Sequence, residues 1–104
     1  MAHNNDLPPE VEDKLVVIKV RAGNEPEFLA VSAGGLGFSA GFNAAGISMT
    51  GNAMSCSDIR PGVPRMLIAR AILAAKRLGE VMDACLLPLR ASNYNNVIAD
   101  TSGE

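Results

Sequence analysis

Between Leu15 and Asn52 the apolar positions fall in short runs broken by glycine-rich punctuation. "LVVIKVRA" (15–22) is rich in β-branched residues and short, which predicts a strand with Val16, Ile18 and Val20 on one face. "GNEP" supplies a turn, and "EFLAVSA" (27–33) predicts a second strand that pairs with the first as a hairpin. Gly34-Gly35 end it. "GFSAGFN" (37–43) sets Phe38, Ala40 and Phe42 on one face, and "GISMTGN" (46–52) does the same with Ile47 and Met49. Between them "NAAG" makes a tight turn, with Gly46 where a positive φ is required. Glycines 35, 37 and 41 point to close approach by another backbone or by helices lying flat on the sheet.

After the loop "GNAMSCSDIRPGV" the period changes. Pro64 opens a helix at a position where proline is tolerated. On a helical wheel Arg65, Arg70, Lys76 and Arg77 share one arc, and every other residue from Met66 to Leu78 is apolar. That stripe is wider than a helix on a small two-layer domain needs. Gly79 ends this helix or caps the next. "EVMDACLL" (80–87) predicts a second helix, with Glu80 and Asp83 near its N-terminus, where the dipole favours acids. Pro88 stops or kinks it. Val97, Ile98 and Ala99 predict a fifth strand, followed by a turn over Asp100 to Gly103. At the other end Pro8-Pro9 predict loop, because proline lacks the N–H and constrains its predecessor.

The chain thus divides into an N-terminal loop (1–13), antiparallel strands (14–55), a helix pair (63–91) and a final strand and turn (95–104). The order β-β-β-β-α-α-β defines an α+β class, with the helices on one face of an antiparallel sheet. A length of 104 residues fits one domain. The composition is 48% apolar with only 4% aromatic residues, so the core is built from Ala, Val, Leu, Ile and Met. Net charge is −2 and the basic residues do not cluster, which argues against a nucleic-acid partner. The apolar run Met66 to Ala75 contains Arg70 and is far short of the roughly 20 residues that span a bilayer, so no membrane partner is expected. The polar N-terminus "MAHNNDLPPEVEDK" is unlike a signal peptide, and Cys56 and Cys85 make no disulfide framework; a reducing, cytoplasmic setting follows. Cys85 reads as a small apolar residue of the second helix.

Conventional catalysts are few. His3 has no metal-ligand spacing to any Cys or second His, so no metal site is expected. Cys56 lies in a loop with no base identifiable beside it. "AGGLGFSAG" does not lead from a strand into a helix and is no phosphate loop, and nothing calls for a cofactor. Asn and Asp remain. A carboxamide N–H can be aimed at an oxyanion without carrying charge, and a carboxylate can orient an amine or thiol nucleophile. By spacing alone Asn52 reads first as a turn or strand-end residue and only second as an oxyanion donor, and Asp6 first as a loop solubiliser or Asx-turn residue.

Four runs, in order, cover nearly the whole chain: "HNNDL" (3–7), "GFNAAGISMTGN" (41–52), "GVPRMLIARAIL" (62–73) and "NNVIADTSGE" (95–104). Together they resemble the isopenicillin-N acyltransferase family, N-terminal-nucleophile hydrolases related to the choloylglycine (bile salt) hydrolases. The family's features are an Asn-x-Asp element, an Asn-x-x-Gly-Leu hairpin ending in Asn (Ile47 stands in the Leu place here), a Gly-x-Pro helix containing Arg, and a strand ending in Ala-Asp-x-x-Gly. The resemblance implies one portion of an αββα sandwich, with helices covering a sheet that faces a second sheet. It also implies amide cleavage or acyl transfer by a Cys whose own α-amine serves as base. Asp6 matches the residue that orients the nucleophile, with Asn4 two positions before it. Asn52 matches the hairpin-end Asn that stabilises the tetrahedral oxyanion. Asn43 and Gly46 shape the turn, and Arg70 matches the helix Arg, for which a structural role is expected.

In the family the nucleophilic Cys precedes the Asn-x-Asp element, whereas no Cys stands before Asp6 here. The chain is therefore expected to be a fragment of a cysteine-type amide hydrolase or acyltransferase, inert by itself. Its partners would be the rest of the acyltransferase polypeptide or a second copy, with a small-molecule amide or acyl-CoA as substrate of the complete enzyme. The rival expectation is a non-catalytic binding or self-assembly module on the same scaffold. A third, a Cys56-dependent thiol enzyme, predicts fast alkylation of Cys56.

Overall fold

The computed structural model describes residues 1–35, 37–92 and 94–103. Glu104, the last residue of the final segment, and Leu36, within the strand segment, lie outside the described residues. One five-stranded antiparallel sheet carries two helices, in the order β-β-β-β-α-α-β. The strands are β1 (Leu15–Val20), β2 (Phe28–Ala33), β3 (Phe38–Asn43), β4 (Ser48–Asn52) and β5 (Asn95–Ala99); the helices are α1 (Arg65–Ala74) and α2 (Leu78–Cys85). Spatial order equals sequence order, so β1 and β5 form the two edges. The whole excursion through both helices returns the chain beside the strand it left.

Registers fix the two faces. Phe28, Ala30 and Ser32 of β2 are buried, opposite Val20, Ile18 and Val16 of β1. Ile47 and Met49 complete the helix-facing side, and Ile68, Ala69, Ile72, Leu73, Ala75 and Val81 descend on them. Burying each such large apolar side chain is worth about 1.5–3 kcal/mol. Gly41 shows why glycine sits under α1. A Cβ there would meet the Leu29 carbonyl at 2.7 Å and Leu73 Cδ2 at 3.1 Å.

Four sequence expectations need correction. Phe38 and Phe42 do not share a face: the β2–β3 register shifts between Val31 and Ser32, a bulge. Phe38 therefore turns to the core, its ring edge-on to Phe28 at 5.6 Å, while Phe42 is 56% exposed on the opposite face. The predicted N-terminal loop contains a 3-10 helix at Pro9–Lys14, whose first position is where a proline costs no hydrogen bond. The polar arc of the first helix is not one face, because α1 stops at Ala74 and Lys76 and Arg77 lie beyond it, while Arg65 is half-buried. Gly79 neither ends a helix nor caps one; it is the second residue of α2.

Candidate functional site

Antiparallel order brings one end of every strand together. Leu15, Ala33, Phe38, Asn52 and Asn95, the terminal residues of β1 to β5, line up at one end of the sheet, and α1 begins there with Arg65. Asn5 and Leu7 border a cavity at this end with Leu15, Ala33, Phe38, Ser39, Arg65 and Met66. Asp6, exposed between them, and Asn52 thus come to the same end of the sheet. Among the described residues neither side chain has a hydrogen-bond or ionic partner, and Asn4 is likewise exposed.

Asn52 is fixed by what lies beneath its neighbour. Gly51 is buried on the helix side of β4; a Cβ there would meet Tyr94 Cε1 at 2.6 Å and Arg65 Nη2 at 2.8 Å. The Arg65 guanidinium stacks 3.6 Å from the Tyr94 ring centre, and its Nη1 donates to the Phe38 carbonyl at 3.1 Å. The Tyr94 hydroxyl donates to the Gly51 carbonyl at 3.4 Å. One cation–aromatic stack therefore ties α1, β3, β4 and the approach to β5. Arg65 Nε and Nη2 are buried without a hydrogen-bond partner among the described residues. Burial lowers the pKa of this guanidinium, an effect that Tyr94 opposes, and arginine nonetheless stays charged. Sequence reasoning set Arg65 on the charged arc of the first helix and passed over Tyr94, because nothing local says that residues 65 and 94 meet.

Asn43 stands at the other end of the sheet and is 5% exposed. Its Nδ2 donates to the carbonyls of Leu73 at 3.1 Å and Ala75 at 2.7 Å. Its Oδ1 accepts from the backbone N–H groups of Ala45 and Ile47, both at 3.0 Å. The side chain thus shapes the β3–β4 turn and caps the C-terminus of α1 at once. Gly46 adopts φ +89°, and Thr101 packs where its Cβ would be, 2.7 Å from Thr101 Cγ2. Arg70 pairs with Glu25 and lies 5.0 Å from the Phe28 ring centre.

The remaining polar groups are dispersed. His3, with Met1 and Ala2, lies against the sheet face opposite the helices, beside Val17, Leu29, Val31 and Phe42. Cys56 Sγ donates to the Met54 carbonyl at 3.3 Å, in a loop that borders Tyr94 and Asn95. Cys85 packs against the core; burial raises its thiol pKa, and Asn96 partly offsets that. Among the described residues no group of three His, Cys, Asp or Glu side chains could hold a metal ion, and no helix is long and apolar enough to cross a membrane.

The fold defines an α+β protein in which one helical layer covers an antiparallel sheet with exposed carboxamides at one end. The family model for acyl-coenzyme A:6-aminopenicillanic acid acyl-transferase matches the chain over residues 1–104, and the chain belongs to that family. No curated protein matches it, and no solved structure does.

Proposed function

We propose that this chain carries part of an acyl-transfer or amide-cleaving site of the cysteine, N-terminal-nucleophile type. Asn52 stabilises the oxyanion and Asp6 orients a nucleophilic Cys supplied from outside residues 1–104. The observation that carries the reading is that the Asn5–Leu7 run and Asn52 lie at the same end of the sheet, within a chain that belongs to an acyltransferase family. A neutral amide donor suits an oxyanion because it needs no proton transfer and little reorganisation. The sheet face that carries exposed Val17, Phe42 and Val97 is covered by the rest of the polypeptide, a second sheet in an αββα arrangement. A second copy is the alternative cover, and the same exposed apolar face supports it.

In a polypeptide that joins this segment to an upstream Cys, Asn52→Ala lowers kcat for acyl transfer by about 10²–10³ while KM changes little. Full turnover by that variant defeats the reading. Residues 1–104 by themselves are expected to show no amide hydrolysis; cleavage that disappears with Asn52→Ala would place the nucleophile inside this chain.

A further inference from the structure

Tyr94, Asn95 and Asn96 alternate across the sheet with clear consequences. Tyr94 turns to the helix side, where it holds Arg65, and Asn96 does too, its Nδ2 3.8 Å from Cys85 Sγ of α2. Asn95, between them, faces the other way. On β4 the same alternation puts Gly51 under the Arg65–Tyr94 stack and Asn52 on the opposite face. The register places Asn52 directly across from Asn95. Cross-strand neighbours have Cβ atoms about 4.5–5.5 Å apart, so two carboxamides stand side by side at the sheet end. Both residues are exposed, and among the described residues neither side chain has a hydrogen-bond partner.

We propose that Asn95 is a second carboxamide donor beside Asn52, and that the pair binds one carbonyl oxygen of an amide substrate. The proposal rests on the acyl-transfer reading above and adds a residue to it. Two uncharged N–H groups at adjacent lattice points of a sheet can converge on one oxygen, which has two lone pairs to offer. The backbone beneath them is held from below. Gly51 precedes Asn52 and Tyr94 precedes Asn95, and these two residues touch each other and Arg65. The donors are therefore set by the sheet ladder and the stack, with only side-chain rotation left to settle. Asn95 also borders the cavity formed with Met54, Ser55, Cys56, Ser57 and Asp58, which gives an amide room to approach.

The test uses the 15N-labelled chain titrated with phenylacetamide, following the side-chain NH2 signals of both residues. The pair predicts that the two sets of signals move along one binding curve. Asn95→Ala raises Kd by roughly five- to tenfold, the cost of one hydrogen bond. Asn95→Asp, which can accept but not donate when ionised, abolishes the shift at Asn52. Retained dispersion of the backbone signals in both variants confirms that they fold. Movement at Asn52 alone, or an unchanged Kd in Asn95→Ala, overturns the pair and leaves the acyl-transfer reading intact. Absence of movement at both positions also overturns it. Paired shifts together with full turnover by Asn52→Ala would instead defeat the acyl-transfer reading and keep an amide-binding pair.

Discussion

Asn43 shows how much one side chain can decide. All four of its hydrogen-bonding positions are used, two on the turn and two on helix carbonyls thirty and thirty-two residues away. Removing it leaves buried backbone groups unpaired, each costing about 1–3 kcal/mol. Asn43→Ala is therefore expected to destabilise the chain by about 3 kcal/mol or more in urea unfolding. Asn43→Asp fares no better, because a carboxylate cannot donate to Leu73 and Ala75 and carries negative charge to a helix C-terminus. If Asn43→Asp unfolds at the same urea concentration as the parent chain, the double cap is not stabilising. From sequence the turn was legible, since "NAAG" has a glycine where φ must be positive. The cap was not, because its partners lie far along the chain. That is also why the end of α1 was missed: no glycine or proline marks Ala74, and the carbonyls there are satisfied from β3.

At the scale of elements, strands were easier to read than faces. Short β-branched runs and alternation located all five, but a single extra residue in β3 put Phe42 on the side opposite Phe38, and a bulge leaves no reliable mark in a sequence. Pairing geometry, absent from a linear reading, also hid Asn95 opposite Asn52. The β1–β2 hairpin carries its own pH dependence. Glu27 accepts hydrogen bonds from Lys19 and Arg21, and these hold its carboxyl below the ordinary value of 4.5. A lowered folded-state pKa gives stability that is present above the unfolded-state value and fades as pH falls through the folded one. The carboxyl resonance of Glu27 should titrate below pH 4.5, with cross-strand contacts of Lys19 weakening over the same interval. In Glu27→Gln those contacts should show no such acid response. A Glu27 midpoint at or above the ordinary value would contradict the assignment.

For the molecule as a whole, the imbalance between the two sheet faces matters most. One side is sealed by α1 and α2; the other leaves Val17 at 71% and Phe42 at 56% exposure. Apolar patches of this kind mark surfaces meant to be covered. Purified alone, the chain should therefore self-associate, with a sedimentation-derived mass above 10.8 kDa that falls to the monomer value in Val17→Asp/Phe42→Asp. A parent chain that stays monomeric at high concentration would mean that the face tolerates water and needs no cover. The α+β class was legible from the order of apolar periods, and the family from four ordered motifs. Of the candidate site, Asp6 and Asn52 can be nominated from their neighbours in sequence, while the Arg65–Tyr94 stack and the pairing of Asn95 with Asn52 emerge only when distant strands meet.

The bond from Asn43 to Leu73 and Ala75 makes the last turn of α1 a hostage of the β3–β4 hairpin. Neither can fray without releasing the other, so the two should lose hydrogen-exchange protection in one event, not in sequence. A helix tethered in this way behaves as an extension of the sheet, and any partner that tugs on the hairpin is felt at its far tip.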